Sequence, residues 1–423
     1  MRSGKSSRGF SLVELLIAVA VSLLVIAGAM ALLVSQQRIF QVSTADRALQ
    51  ETGRVALEEL TSNLRLAGYG IDPVYAFDFG ALESVRQDRA PETADLSAAS
   101  TFPGCTSIDC RDSITGSDEV VFRYRNPSFV RSLAATPTTE TSITIAGPLV
   151  TPLYQGQILQ VMCFAGDMRW AYVTVGATVQ PTDADTVQVT LAAASGDRFP
   201  FQNGYLLNTC FSAVAPRGAL QTAPMTFAAA AKVYKVDQFR YYVARYDTAG
   251  DIVTGVTSTA RPFLMLDQGL MDGGNPVLNV VAPDVEDLQF AYLFPNSQPA
   301  NQLVGATAST KIAAGTSGID LEPGAGPPAF SDESAAAQRL TQHPGNIRAV
   351  AVSVVVRTPE ADSRVFESTI PAAGNRPAVA GPIGFRRQVF QTSAATRNLD
   401  ARGPYFPTYS TNGGADHLNV GGG

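Results

Sequence analysis

One carboxylate, Glu14, lies near the start of an otherwise uncharged apolar run from Phe10 to Val34. An ionised side chain in lipid costs about 2.5 to 3.5 kcal/mol even on lenient insertion scales, so an intramembrane carboxylate is expected to have a function. A buried carboxylate is stabilised most by an opposite charge at close range. The chemistry that Glu14 offers is therefore an ion pair, and its partner has to be a cation.

The rest of the chain offers little for catalysis or metal binding. Both histidines, His343 and His417, lie in loop-like sequence, and no Cys-x-x-Cys spacing is present for zinc. No Gly-x-Ser-x-Gly segment occurs, and the glycine clusters 413–414 and 421–423 lack the strand and helix that a phosphate loop needs. We therefore predict no catalytic residue, no metal site and no cofactor, and we expect that the protein is not an enzyme.

The apolar run is long enough to cross a membrane. As a helix it would measure roughly 37 Å, against about 30 Å for a hydrocarbon core. The preceding segment, Met1–Gly9, has three basic and no acidic residues, which favours a cytoplasmic location. A secretory signal peptide cut near Ala29 and a plain transmembrane anchor are the two ordinary alternatives. The first would have an apolar stretch of only about 7 to 15 residues and no reason to carry a glutamate.

The helix is predicted to continue beyond the apolar run. Apolar or small residues recur at steps of three or four along one face: Ile39, Val42, Ala45, Leu49, Gly53, Ala56, Leu60 and Leu64. Gly68 is placed to end the helix, and Asp72-Pro73 prevents its immediate resumption. The sequence thus predicts one helix of about 55 residues, half in lipid and half packed against a folded domain.

After Gly68 the pattern changes to a period of two, which predicts strands at 118–125, 157–164, 170–175, 186–191, 234–246 and 346–357. The last has two apolar faces and should be central in its sheet. The segment Tyr246–Ile252 is a predicted hairpin turn, whose two aspartates are too few to bind calcium. The fold class is therefore α+β, a long helix followed by a β-rich domain. The long connections 72–116, 297–345 and 398–423 are predicted loops or disordered tails.

Composition limits the possible partners. The net charge is −6 over 423 residues, and loss of the three basic residues of Met1–Gly9 would make it about −9. Nucleic-acid binding through a broad basic patch is therefore not expected. With 45% hydrophobic residues, the chain can bury a sizeable core.

Four cysteines suit an exported protein with disulfides. Three pairings are possible. The favoured one joins Cys105 to Cys110 in a small loop and Cys163 to Cys210 between two strand-like segments.

The segment Gly9–Ala18, GFSLVELLIA, resembles the class III signal of type IV prepilins and type II secretion pseudopilins. The resemblance implies that a prepilin peptidase cuts after Gly9 and methylates the new N-terminus at Phe10. It also implies that Glu14 docks the subunit by pairing with the Phe10 amine of a neighbouring subunit. Unlike many major pilins, this run contains no proline and has only Gly28 as a flexible point.

The rest of the chain, to about Leu399, is similar to PilW-type minor pilins. Four segments carry this similarity: Val55–Tyr69, Val277–Tyr292, Asn346–Arg357 and Phe385–Asn398. The resemblance implies a minor pilin that primes filament assembly with other minor pilins, the major pilin and the inner-membrane assembly platform. It also implies a position at the pilus tip with an adhesin, and roles in adhesion and twitching motility. The N-terminus would be cytoplasmic and the β-rich domain periplasmic, later at the cell surface.

Two other functions remain open. One is the large J-type minor pseudopilin of a type II secretion system. The other is a surface-anchored enzyme or carbohydrate-binding module, in which Trp170 could stack on a sugar if exposed. The predicted domain limits are a leader at 1–9, a membrane segment at 10–34, an amphipathic helix at 35–68, a β-rich domain at 69–399 and a disordered tail at 400–423.

Overall fold

A computed structural model of the chain describes residues 11–71, 73, 76–77, 117–139, 141–165, 167–192, 231–247, 249–250, 252, 260–293, 347–374 and 376–401. These residues form α1 (Leu12–Leu64), β1 (Val120–Ser132), β2 (Ser142–Ala146), β3 (Ile158–Ala165), β4 (Asp167–Thr174), β5 (Thr186–Thr190), β6 (Lys232–Tyr246), β7 (Arg261–Asp272), β8 (Asn275–Pro283), β9 (Val285–Leu293), β10 (Ala349–Arg357), β11 (Thr369–Ile370), β12 (Val379–Ala380), β13 (Arg387–Ala395) and α2 (Arg397–Asp400). The predicted fold class, a long N-terminal helix followed by a β-rich domain, is confirmed.

The long helix α1 ends four residues before the predicted glycine. Its 53 residues stop at Leu64, and turns follow as far as Gly70. Gly68 has a φ of 76°, a left-handed conformation that favours glycine, and its N–H donates to the Arg123 carbonyl at 3.0 Å. The glycine therefore redirects the chain onto β1 instead of ending the helix itself.

A residue far along the chain binds the carbonyls beyond the helix end. The side-chain amide of Asn398, at the start of α2, donates to the carbonyls of Arg65 at 3.0 Å and Ala67 at 3.4 Å. Carbonyl groups at a helix end lack partners within the helix, so an outside donor stabilises them. β13 stops at Ala395, and Asn398 belongs to the helical turn that follows it.

The burial of the predicted helix face increases along α1, and Leu49 is its first buried member. The chain divides into two compact units between Glu51 and Thr52. Within the second unit Ala56, Leu60 and Leu64 are fully buried, whereas Ile39 of the first unit is 66% exposed. The periodicity was a correct sign of an amphipathic face. The predicted domain limits remain predictions.

Six strand segments close into a ring. Strand pairing runs from β1 to β6, from β6 to β3 and from β3 to β4. The bridge between Val175 and Leu191 joins the ends of β4 and β5, β5 pairs with β2, and the bridge between Leu133 and Ile145 returns to β1. Inward-facing residues alternate along each strand and fill the ring with an apolar core: Phe129, Leu133, Ile143, Ile145, Leu149, Leu153, Leu159, Val161, Cys163, Ala171, Val173, Val175, Val187, Val189, Leu191, Ala231 and Val233.

The long strand β6 connects this ring to the rest of the domain. Its first residues pair with β3, and its residues from Arg240 onwards pair with β7, which in turn pairs with β8. One edge of β6 pairs with β1 from Lys232 to Tyr241, and the other pairs first with β3 and then with β7, so each residue of this strand is paired on at least one edge.

A separate sheet of three strands, in the order β13-β10-β9, packs against the end of α1. β10 is central, as its two apolar faces predicted, and pairs with both neighbours along its length. Gly53 of α1 lies directly against the ring of Phe390 on β13, where a side chain on residue 53 would overlap it. This glycine allows close contact between helix and sheet.

Candidate assembly site at the start of the long helix

The predicted functional carboxylate, Glu14, is part of a hydrogen-bonded cap at the beginning of α1. The Glu14 backbone N–H donates to Ser11 Oγ at 3.2 Å. The Ser11 N–H donates back to Glu14 Oε2 at 3.5 Å, a long bond. The Leu15 N–H donates to the Ser11 carbonyl at 3.2 Å. Glu14 thus has a local partner in the single chain.

This arrangement is a capping box, and its sequence signature was missed. Serine at the N-cap accepts from the third helical residue, while a glutamate there reaches back to the serine N–H. Ser11-Leu12-Val13-Glu14 has the required spacing, with α1 beginning at Leu12. The same carboxylate also lies in the first turn, where the helix dipole favours negative charge.

Replacing Ser11 with alanine is expected to loosen the first turn of α1. Loss of an N-cap oxygen costs about 1 kcal/mol, so the Glu14 amide should exchange its hydrogen about fivefold faster. NMR-detected hydrogen exchange of the full chain in bicelles measures this rate. Ser11→Thr keeps the hydroxyl and serves as the control. Equal exchange rates in Ser11→Ala and the unmodified chain would contradict the cap.

The surroundings of Glu14 are apolar and open. By length and composition, α1 is able to cross a membrane. The helix residues from Leu12 to Val34 are all exposed in the single chain, and Glu14 is their only charged member. In a membrane, a carboxylate at this position would meet lipid or a neighbouring protein. Gly9 and Phe10, the predicted cleavage and methylation residues, lie outside the described residues.

The structure settles only part of the cysteine prediction. Cys163 lies in the apolar core of the six-strand ring and is disulfide-bonded. Cys105, Cys110 and Cys210 lie outside the described residues. The predicted pairing therefore stays a prediction.

Two neighbouring carboxylates on β9 belong to a buried charge cluster that the sequence did not predict. Glu286 accepts hydrogen bonds from Arg387 Nε at 2.5 Å and Nη2 at 3.2 Å. Arg357 Nη1 lies 3.8 Å from the same carboxylate. Asp287 accepts from Arg376 Nε at 2.6 Å. These side chains are almost completely buried, so each pair is held in a medium that leaves water little access.

The cluster fixes the segment between β10 and β13. Arg376 and Arg387 also donate to the carbonyls of Pro371 and Pro382 within that segment. Burial raises the pKa of Asp287, and the charge of Arg376 opposes this increase. Each carboxylate accepts hydrogen bonds from an arginine, and these bonds hold β9 to the segment between β10 and β13. We interpret the cluster as structural.

Two tyrosines, the half-buried Tyr124 on β1 and the buried Tyr241 on β6, lie beside carboxylates. Burial, together with Asp237, raises the pKa of Tyr124 to about 12. Burial raises the pKa of Tyr241 further, and Glu59 of α1 adds to this effect. The Tyr241 hydroxyl accepts a hydrogen bond from Asn63 Nδ2 at 2.7 Å. Both phenols are therefore neutral, and Tyr241 joins the end of α1 to β6.

Other candidate residues find ordinary positions. Trp170 is half-buried on the outside of the six-strand ring, paired across β3 and β4 with Met162. In the predicted turn Tyr246 pairs with Ile252, and Asp247 Oδ1 accepts from the Ala249 N–H at 2.9 Å. Asp251, His343 and His417 lie outside the described residues. The described residues contain no group of three metal-ligating side chains.

Comparison with known proteins identifies the N-terminal segment. Residues 4–30 match the prokaryotic N-terminal methylation motif, a range that includes Gly9, Phe10 and Glu14. No curated protein matches the chain. One solved structure is similar, a type IV-like pilin from Thermus thermophilus, with 16% sequence identity over 39% of this chain and 69% of that chain and a TM-score of 0.17.

The motif and the fold together define a class. A prokaryotic N-terminal methylation motif at the start of a long apolar helix, followed by a β-rich domain, is the arrangement of type IV pilin-like proteins. Such proteins are structural subunits and not known enzymes, in agreement with the sequence prediction. The motif implies processing by a prepilin peptidase and association with other pilins, and the apolar helix indicates membrane anchoring before assembly.

Proposed function

We propose that this protein is a minor pilin of a type IV pilus that helps to initiate filament assembly. The observation that supports the proposal most directly is the methylation motif at residues 4–30, with Glu14 in the first turn of a helix that can span a membrane. Cleavage after Gly9 would leave a cationic amine at Phe10, which is the counter-charge that Glu14 requires in an apolar medium. The amine of a neighbouring subunit would then position the new subunit.

The exposed first half of α1 supports assembly of many helices. In the single chain its apolar side chains from Leu12 to Phe40 have no protein cover. Leaving lipid is favourable only if this surface is buried again, at about 25 cal/mol per Å². Neighbouring α1 helices in a filament would provide that cover. The large β-rich domain, with its additional six-strand ring, suits a minor component better than a bulk subunit.

Several finer features belong to the same proposal. The N-terminus would lie in the cytoplasm and the β-rich domain in the periplasm, then at the pilus surface or tip, beside an adhesin. PilW-type minor pilins are the proposed subfamily. Cys105 would pair with Cys110, and Cys163 with Cys210. A type II secretion pseudopilin would share the motif and the long helix.

Mass spectrometry of the protein made with and without a prepilin peptidase tests the first step. With the peptidase we expect loss of Met1–Gly9 and a methyl group on Phe10. Without it the leader should stay intact. A leader that survives in the presence of the peptidase, or a cut near Ala29, would refute the proposed function. Piliation in a deletion strain then distinguishes a pilus component from a secretion component.

A further inference from the structure

The strand β13 forms one edge of the three-strand sheet. In the part of the chain that the structure describes, it pairs with β10 alone. The register runs without a shift through nine residue pairs, from Arg357 with Arg387 to Ala349 with Ala395. An edge strand of this regularity offers its second side to another strand.

The hydrogen bonds at both ends of the ladder show which residues face outward. The Thr396 N–H donates to the Arg348 carbonyl, and the Thr358 N–H donates to the Arg386 carbonyl, both at 2.9 Å. Both pairs continue the β10–β13 register. Hydrogen-bonded and non-hydrogen-bonded pairs alternate in antiparallel sheets. The backbone N–H and C=O groups of the even-numbered residues of β13 therefore point toward β10. The backbone groups of the intervening residues face outward: Val389, Gln391, Ser393 and Ala395.

Among the described residues, these outward groups have no partner and no protection. Within the described residues, none of the four makes a backbone hydrogen bond on the outer side. Natural edges are commonly protected by charge, proline or a bulge. From Gln388 to Ala395 the strand has no charged residue and no proline, and its ladder has no bulge. Gln391, Thr392 and Ser393 are exposed to solvent.

We propose that the outer edge of β13 binds an extended, uncharged strand of another protein, which adds to the three-strand sheet. The row of outward N–H and C=O groups selects an extended backbone. The neutral edge selects a neutral segment, because a charge on the added strand would find no partner there. On the side facing α1, the half-buried ring of Phe390 can contact an apolar side chain of the added strand.

A second copy of this chain is a poorer occupant. Two antiparallel β13 strands would be related by a two-fold axis perpendicular to the sheet. In the second unit α1 runs along β13, because Gly53 lies against Phe390 and the Arg65 carbonyl against Asn398, so that axis would reverse this part of α1 in one copy relative to the other. Both chains have to enter one membrane in the same direction, so we assign the edge to a strand from a different protein. This interaction does not depend on cleavage or methylation at Phe10.

The register of cross-links in cells tests the proposal. A photo-cross-linking amino acid is placed at Gln391 or Ser393 in the full chain, with Val280 on β8, 58% exposed, as the control position. Mass spectrometry then maps the partner residues. We expect both edge positions to label one partner segment, at residues about two apart and in consistent order. The Val280 position should not label that segment.

A matched pair of variants tests the backbone contact. With the cross-linker at Gln391, Ser393→Pro removes an outward N–H and should reduce the yield about tenfold, whereas Ser393→Ala keeps the N–H and the yield. Thermal unfolding checks that the proline variant is folded, and Ser393→Lys replaces it if it is not. Three cross-linking results would overturn the proposal: labelling at Gln391 and Ser393 that is no stronger than at Val280, labelled residues in no consistent order, or labelling of β13 in a second copy. Equal cross-link yields in Ser393→Pro and Ser393→Ala would also overturn it.

Discussion

Glutamine in place of Glu14 is expected to leave the start of α1 intact and to prevent incorporation of the subunit. Glutamine can replace glutamate in a capping box, so the hydrogen bonds with Ser11 are retained. The negative charge is lost. If Glu14 pairs with a neighbouring Phe10 amine, the unpaired amine costs about 3 kcal/mol or more, which is over a hundredfold in assembly.

Two measurements on the same strains check this expectation. Mass spectrometry should show normal cleavage and methylation in Glu14→Gln and Glu14→Ala, because the cut lies five residues away. The amount of the protein in sheared filaments should fall in both. Normal incorporation of Glu14→Gln together with failure of Glu14→Ala would show that the residue acts as a helix cap and not as a charge. Normal incorporation of both would refute a docking role.

Loss of Arg387 is expected to have the largest effect on the stability of the β-rich domain. Arg387→Met would leave Glu286 with Arg357 at 3.8 Å as its remaining ionic partner in a buried site. Breaking a buried pair on one side typically costs about 3 to 5 kcal/mol. Urea unfolding of the full chain in detergent, followed by near-ultraviolet circular dichroism, measures the change in free energy.

The double variant Glu286→Met with Arg387→Met provides the control. Removing both charges avoids an uncompensated buried carboxylate, so the double variant should be more stable than either single variant. Additive losses in the double variant would mean that the two side chains act independently. If Arg387→Met lowers the free energy of unfolding by less than about 1 kcal/mol, the Glu286–Arg387 pair contributes no more than an ordinary surface ion pair.

The open edge of β13 and the exposed half of α1 suggest two different kinds of partner. The helix surface is apolar and broad, and other α1 helices can cover it. The strand edge is narrow and satisfied mainly by backbone hydrogen bonds. The proposed role in initiating a filament requires contacts that later subunits do not repeat, and the proposed strand addition at the β13 edge would be such a contact.

The sequence alone determined the features that depend on local pattern. The apolar run with Glu14 predicts a membrane helix, because each residue contributes separately to transfer from water. The period of 3.6 predicts the second half of α1, and the apolar faces of β10 predict its central place in a sheet. Ser11 is also encoded locally, although its role was recognised only in the structure.

Only the tertiary structure decided the contacts between distant segments. Glu286 and Arg387 are about a hundred positions apart and have no periodic relation, so no local pattern pairs them. The same holds for Asn398 beside the end of α1 and for the closure of the six-strand ring. Strand order and register depend on the packing of all strands together. For that reason the sequence indicated how the chain is anchored, while the fold was needed to show the edge at which it can bind a partner.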